Sequence, residues 1–173
     1  PSFPPRRSSD LLSAGMISTV NAVIGDEEID TGFHVTTPEA PTIQRLLRRM
    51  ADSGITHVVL ETTSHGLAQH RATACDFDLG VITNITHEHL DYHGDYGAYL
   101  NAKARRLTGL ADTPEKNGHS YAVAVLNRDD MSYSHLKEIL SEPRYHDIRQ
   151  VAYGTGADCD LRGRDLVTDA DGI

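Results

Sequence analysis

Cysteine is scarce in this chain: Cys75 and Cys159 are the only two among 173 residues, far apart and in no CxxC pair. That spacing argues against a disulfide scaffold and a structural zinc site, and a reducing cytoplasm is the expected setting. Long apolar runs are also missing. No stretch approaches the ~18 residues of a membrane span, and no signal-peptide pattern is readable. Positive charge is in short supply, with 16 Lys and Arg against 25 Asp and Glu and a formal net charge of −9. Nucleic acid and anionic membrane both call for a basic face, so neither is an expected partner. The cations Arg45, Arg48, Arg49, Arg71, Lys103, Arg105 and Arg106 nevertheless fall near apolar blocks. A hydrophobic content of 39% with 24% charged residues is ordinary for a globular chain.

Along the chain, residues 1–10 (PSFPPRRSSD) hold almost nothing to bury and read as a disordered or non-native leader. Residues 11–157 read as one partial domain, and 158–173 as a polar segment with a possible further strand. Ile17 to Thr31 suggests two strands joined around Gly25-Asp26. Thr36-Thr37-Pro38-Glu39 suggests a helix start, with a hydroxyl cap and an acid at the positive end of the dipole. Ile43, Leu46, Leu47 and Met50 follow helical spacing, and Gly54 suits the residue that ends that helix. Val58-Val59-Leu60, Leu79 to Ile82 and Tyr121 to Leu126 read as buried strands, with helices over Tyr96 to Leu110 and Ser132 to Leu140. This alternation predicts an α/β fold built on a parallel, doubly wound sheet; the absence of a terminal helix suggests truncation at the C-terminal end, and the family resemblance given below implies truncation at the other end as well.

The polar groups gather where the apolar runs stop. Glu61 ends the first run, which suits a solvated loop acid or a magnesium ligand at a strand's C-terminal end. His87, Glu88, His89, Asp91 and His93 alternate in sequence, as a polar loop or a metal-binding set would. Lys103 in a helix is most simply solvated; with a partner it would neutralise phosphate or hold a metal-bridging group. Thr36 and Thr37 suit a cap or an anionic ligand at a helix N-terminus. Gln69 and Arg71, two apart, are surface residues or a carboxylate or diphosphate clamp with Arg as the fork.

Taken together, five ordered motifs resemble the central domain of the Mur ligases, the ATP-dependent enzymes that add amino acids to UDP-N-acetylmuramic acid in peptidoglycan synthesis. They are Thr36-Thr37-Pro38-Glu39, Glu61 to Leu67 with Gln69 and Arg71, Thr83 to Gly94, Tyr99 to Lys103, and Asn127 to Asp130. The resemblance runs from about Ser18 to Tyr153 and is nearest to the branch that adds the third residue to UDP-N-acetylmuramoyl-L-alanyl-D-glutamate. It implies that Glu61 and His89 are magnesium ligands and that Lys103 is carbamylated, becoming a carboxylate-like metal ligand. It also implies that Thr36, Thr37, Thr63, Gln69 and Arg71 hold the UDP-muramoyl-dipeptide, with ATP and an amino acid as co-substrates. Thr63 stands where that branch usually carries serine. No GxxxxGK[ST] phosphate loop occurs in the sequence. The chain is therefore expected to be part of a ligase, without ligase activity by itself. The alternatives are a folylpolyglutamate or cyanophycin synthetase relative, a non-catalytic binding module, and a metal hydrolase built on the histidine cluster.

Overall fold

A computed structural model of the chain describes residues 12–31, 37–85, 95–116 and 121–166. The chain divides into two compact units, Pro1–Ala74 and Cys75–Ile173. Among the described residues no helix is long and apolar enough to cross a membrane.

In the first unit, β1 (Ala14–Ile17), β2 (Asn21–Ile24), β3 (Glu27–Asp30) and β4 (His57–Leu60) form a four-stranded sheet in the order β3-β2-β1-β4. The two strands expected around Gly25-Asp26 are β2 and β3, paired antiparallel with Ile24 opposite Glu27. β1 precedes them and pairs antiparallel with β2 and parallel with β4. Helix α1 (Ala40–Asp52) buries Ile43, Leu46 and Met50, the stripe that the sequence spacing marks. Leu46 and Met50 join Ile17, Ala22 and Ile24 in a small core. At about 1.5–3 kcal/mol per fully buried aliphatic side chain, this stripe outweighs any surface ion pair in holding the helix. Gly54 ends α1 at φ +75°, with its N–H on the Ala51 carbonyl at 3.0 Å and the Ile55 N–H on Met50 at 3.0 Å. This is the paired C-terminal motif that the left-handed region permits and glycine favours.

Two expectations are corrected here. The N-cap of α1 is Glu39, with Pro41 in the first turn, so Thr37 does not cap the helix; Thr36 lies outside the described residues. The Thr37 hydroxyl suits a cap, but it is engaged by the Thr63 N–H and the helix is capped two residues later. Nor is β4 buried: His57, Val58 and Val59 are exposed and Leu60 is half-buried. β4 is the end strand of its sheet, paired only with β1 among the described residues, so an apolar sequence alone does not cover it.

In the second unit, β5 (Leu79–Ile82), β6 (Val123–Asn127), β7 (Arg149–Gly154) and β8 (Leu161–Arg162) form a sheet in that order, parallel throughout. The parallel α/β reading holds most directly here. β5 again differs from a buried strand, exposing Leu79 and Val81 while burying Gly80 and Ile82. Helix α2 (Ser64–Ala68) belongs to the first unit; α3 (Tyr96–Thr108) and α4 (Tyr133–Ile139) belong to this one. α3 is capped by the Asp95 carboxylate, which accepts from the Ala98 N–H. Its Tyr99, Leu100, Ala104 and Leu107 pack with Ile82, Ile85, Ala124 and Leu126. Arg106 lies across the Phe77 ring at 3.6 Å, and burial lowers its pKa to about 10, opposed by the nearby Cys75 thiol.

Candidate functional site

β4 delivers Glu61 at its C-terminal end. The Glu61 N–H donates to the Ile17 carbonyl at 2.8 Å, continuing the β1–β4 ladder by one residue. Its exposed carboxylate accepts from the Thr19 N–H through Oε2 at 3.2 Å. Thr63 then caps α2, its Oγ1 accepting from the Gly66 N–H at 3.1 Å.

Against this turn lies Thr37, fully buried. Its Oγ1 accepts from the Thr63 N–H at 2.8 Å and stands 3.3 Å from Thr63 Oγ1. The contact is close because residue 66 is glycine: a Cβ there would stand 2.5 Å from Thr37 Oγ1 and 2.6 Å from Thr37 Cβ. Just past the C-cap of α2, His70 stands at φ +58°, and the Arg71 N–H reaches back to the Gly66 carbonyl at 2.9 Å. That reversal aims the Arg71 side chain at Thr37. Nη1 donates to the Thr37 carbonyl at 2.7 Å, Nε to Gln69 Oε1 at 2.9 Å, and Nη2 pairs with Glu39 Oε1 at 2.9 Å. Thr37, Thr63, Gln69 and Arg71 are thus joined by hydrogen bonds in one cluster. Sequence reasoning missed Glu39, read as a dipole acid, and Gly66, read as loop. Their sole signal was proximity to the Thr37 and Thr63 motifs.

In the second unit, β5 ends at a backbone whose carbonyls are each taken up. Asn127 Nδ2 donates to the Thr83 carbonyl at 2.8 Å, and the Tyr153 hydroxyl donates to the same oxygen at 3.4 Å. Lys103 Nζ donates to the Asn84 carbonyl at 3.1 Å and stands 4.9 Å from the Tyr99 ring centroid. The Tyr96 hydroxyl donates to the Ile85 carbonyl at 3.3 Å. Asp130 Oδ1 accepts from the N–H groups of Ile85 at 3.3 Å and Ser132 at 3.0 Å. Burial raises the pKa of Tyr96, with Asp130 and then Tyr99 adding to it. Tyr153 is raised by burial first, then by Asp130 and Asp129. Both phenols therefore stay protonated and donate throughout the neutral range. The Asn127–Asp130 motif was legible in the sequence; Tyr96 and Tyr153 as backbone donors were not.

His87, Glu88, His89, Asp91 and His93 lie outside the described residues. Among those described, no group of three His, Cys, Asp or Glu side chains is placed to hold a metal. Glu61 belongs to the first unit and Lys103 to the second, and each is described within its own unit. As a donor, Glu61 fits magnesium: it is a hard, exposed carboxylate with one oxygen on Thr19. Lys103 as an ammonium does not fit, being a cation that only donates. Its carbamate would fit, since two oxygens are added while one N–H remains for the Asn84 carbonyl.

The first unit thus carries a hydrogen-bonded Thr37–Thr63–Arg71 cluster and the second a parallel sheet with polar groups at its strand ends, an α/β chain in each case. Residues 8–173 match the Mur ligase middle domain, and the chain belongs to the Mur ligase family. It is 35% identical over 162 residues to the UDP-N-acetylmuramoyl-L-alanyl-D-glutamate--2,6-diaminopimelate ligase of Geobacter sulfurreducens, covering 94% of this chain and 30% of that protein. It is 35% identical over 151 residues to UDP-N-acetylmuramyl-tripeptide synthetase 2 of Oceanobacillus iheyensis, covering 87% and 28%. A solved structure of a UDP-N-acetylmuramoyl-L-alanyl-D-glutamate--2,6-diaminopimelate ligase superposes with a TM-score of 0.70 at 30% identity, over 88% of this chain and 28% of that one. The chain thus spans less than a third of the length of these relatives.

Proposed function

We propose that this chain is the substrate-holding part of a Mur ligase that adds a third amino acid to UDP-N-acetylmuramoyl-L-alanyl-D-glutamate during peptidoglycan synthesis. The observation that carries the reading is the Thr37–Thr63–Gln69–Arg71 cluster, with its largely buried guanidinium fork. The names of the relatives supply the substrate class. In the reaction, a substrate carboxylate oxygen attacks the terminal phosphorus of ATP, forming an acyl phosphate and ADP. The amine of the incoming amino acid then attacks the acyl carbon and gives up a proton. The tetrahedral intermediate collapses to an amide and expels phosphate.

On this reading Arg71 grips a carboxylate of the dipeptide, and Thr37 and Thr63 fix the turn that presents it. Thr36 adds a further hydroxyl contact. Magnesium, when bound, offsets phosphate charge during the transfer; Glu61, His89 and Lys103 as its carbamate are the proposed ligands. Carbamylation joins Lys103 Nζ to carbon dioxide and releases one proton.

The test is calorimetric titration of the 173-residue chain with UDP-N-acetylmuramoyl-L-alanyl-D-glutamate, with and without magnesium, alongside native mass measurement in bicarbonate. Expected are saturable binding that UDP-N-acetylglucosamine does not reproduce, and a carbamate located on Lys103. Equal binding of both nucleotides, or of neither, would sink the reading.

A further inference from the structure

We infer that Glu39 is a resident carboxylate at Arg71, occupying the place that a carboxylate of the ligand takes on binding. The inference rests on the proposed function for the ligand's identity, but not for the chemistry of the exchange.

Among the described residues Arg71 has three partners of unequal kind. The Thr37 carbonyl is neutral and belongs to a fully buried residue, and the Gln69 amide is neutral and two residues away. Glu39 is the anion, and its side chain is 67% exposed while that of Arg71 is only 18% exposed. A guanidinium so far removed from water needs a counter-charge, because two neutral acceptors leave its charge uncompensated. Glu39 supplies that charge from the solvent side, where a ligand would arrive.

Glu39 is also the N-cap of α1, yet its side chain makes no capping bond. The carboxylate thus forgoes its own helix terminus, a local partner that acidic residues there favour. A carboxylate that reaches to Arg71 instead is held by the arginine's demand for charge. Since its partner is mostly exposed, the pair is weak enough to open.

Exchange of one carboxylate for another leaves the half-buried cation paired before and after, so neither state strands its charge. A neutral ligand group offers no replacement charge and leaves Glu39 in place. The pair therefore acts as a specificity filter: it admits ligands that carry a carboxylate at this point and resists those that do not. Glu39 is a positioning residue in this scheme, preserving the fork for the incoming group.

The test uses Glu39→Gln, which keeps an acceptor oxygen for Arg71 and removes the charge, with Glu39→Asp as an intermediate that keeps the charge but shortens the reach. Affinity for UDP-N-acetylmuramoyl-L-alanyl-D-glutamate should rise about twofold to fivefold in Glu39→Gln, the range expected from losing a competing exposed pair. Affinity for UDP-N-acetylmuramoyl-L-alanine, which lacks the glutamate, should not follow. Glu39→Asp, one methylene shorter and a stronger N-cap, should loosen the pair and fall between the parent chain and Glu39→Gln. Independently, the Arg71 side-chain NMR signals should respond to added glutarate, at severalfold lower concentration in Glu39→Gln. Equal or weaker dipeptide binding by Glu39→Gln would make Glu39 a structural tie and overturn the inference. So would Arg71 signals that ignore glutarate in both proteins. A glutarate response that shifts with Glu39→Gln, without any binding of the UDP-dipeptide, would keep the exchange and refute the substrate reading instead.

Discussion

Gly66→Ala is expected to destabilise the first unit by about 3 kcal/mol, at the upper end of the range for overpacking. The added Cβ would stand 2.5 Å from Thr37 Oγ1 and 2.6 Å from Thr37 Cβ. No rotamer of Thr37 relieves the second contact, because Cβ is fixed by the backbone. That backbone is itself held, with the carbonyl on Arg71 and the side-chain oxygen on the Thr63 N–H. Helix propensity pulls the other way, since alanine is favoured over glycine by roughly 1 kcal/mol inside a helix. In a five-residue helix packed this tightly, the steric term wins. A lowered urea midpoint with unchanged m-value is the expected reading, accompanied by loss of UDP-dipeptide binding. An unchanged midpoint would show that the turn can move away from Thr37 at little cost.

The second large effect is expected of Arg71→Ala. Removing the guanidinium leaves the carbonyl of buried Thr37 without this donor and Glu39 without its cation. A buried acceptor stripped of its partner costs about 1–3 kcal/mol. UDP-dipeptide affinity should fall about 100-fold, since truncating one side of a charge-assisted carboxylate contact typically costs 2–5 kcal/mol. Arg71→Lys separates charge from geometry. An ammonium keeps the cation but cannot serve Thr37, Gln69 and a carboxylate in one plane, so it should recover little of the affinity. Calorimetry with all three proteins decides the matter. Near-parental binding by Arg71→Lys would reduce the fork to a simple charge.

Much of this architecture could be read before any coordinates. The Ile43, Leu46, Met50 stripe and Gly54 as helix terminator follow from 3.6-residue periodicity and the left-handed conformation, both local properties. Gln69 and Arg71 suit either surface residues or a ligand clamp in the sequence, and what their spacing of two residues on one turn gives in the structure is a contact with each other. What escaped depends on partners distant in sequence. Thr37 was read as a cap because nothing local reveals that it meets Thr63, 26 residues on. Tyr153 holds the Thr83 carbonyl across 70 residues. Burial of Val58 and Val59 was expected from their apolarity, but it depends on what lies beside a strand, which composition does not encode.

The order of strands in the first sheet has a consequence in time. β2 and β3 are neighbours joined by two residues, and such a hairpin closes within about 10 µs. β1 and β4 pair in parallel across a far longer loop, shown by the Thr56 hydroxyl meeting the Ser13 carbonyl 43 residues away. Closure entropy must be met before that ladder yields any return. The turn carrying Thr63, Gly66 and Arg71 follows β4, so it can meet Thr37 only after β4 has docked. The Thr37–Thr63–Arg71 cluster is thus expected to form last in its unit during folding and to be lost first when β4 detaches. Pulsed hydrogen exchange during refolding should protect the β2–β3 amides before the Thr63 and Gly66 amides, and simultaneous protection would contradict that order.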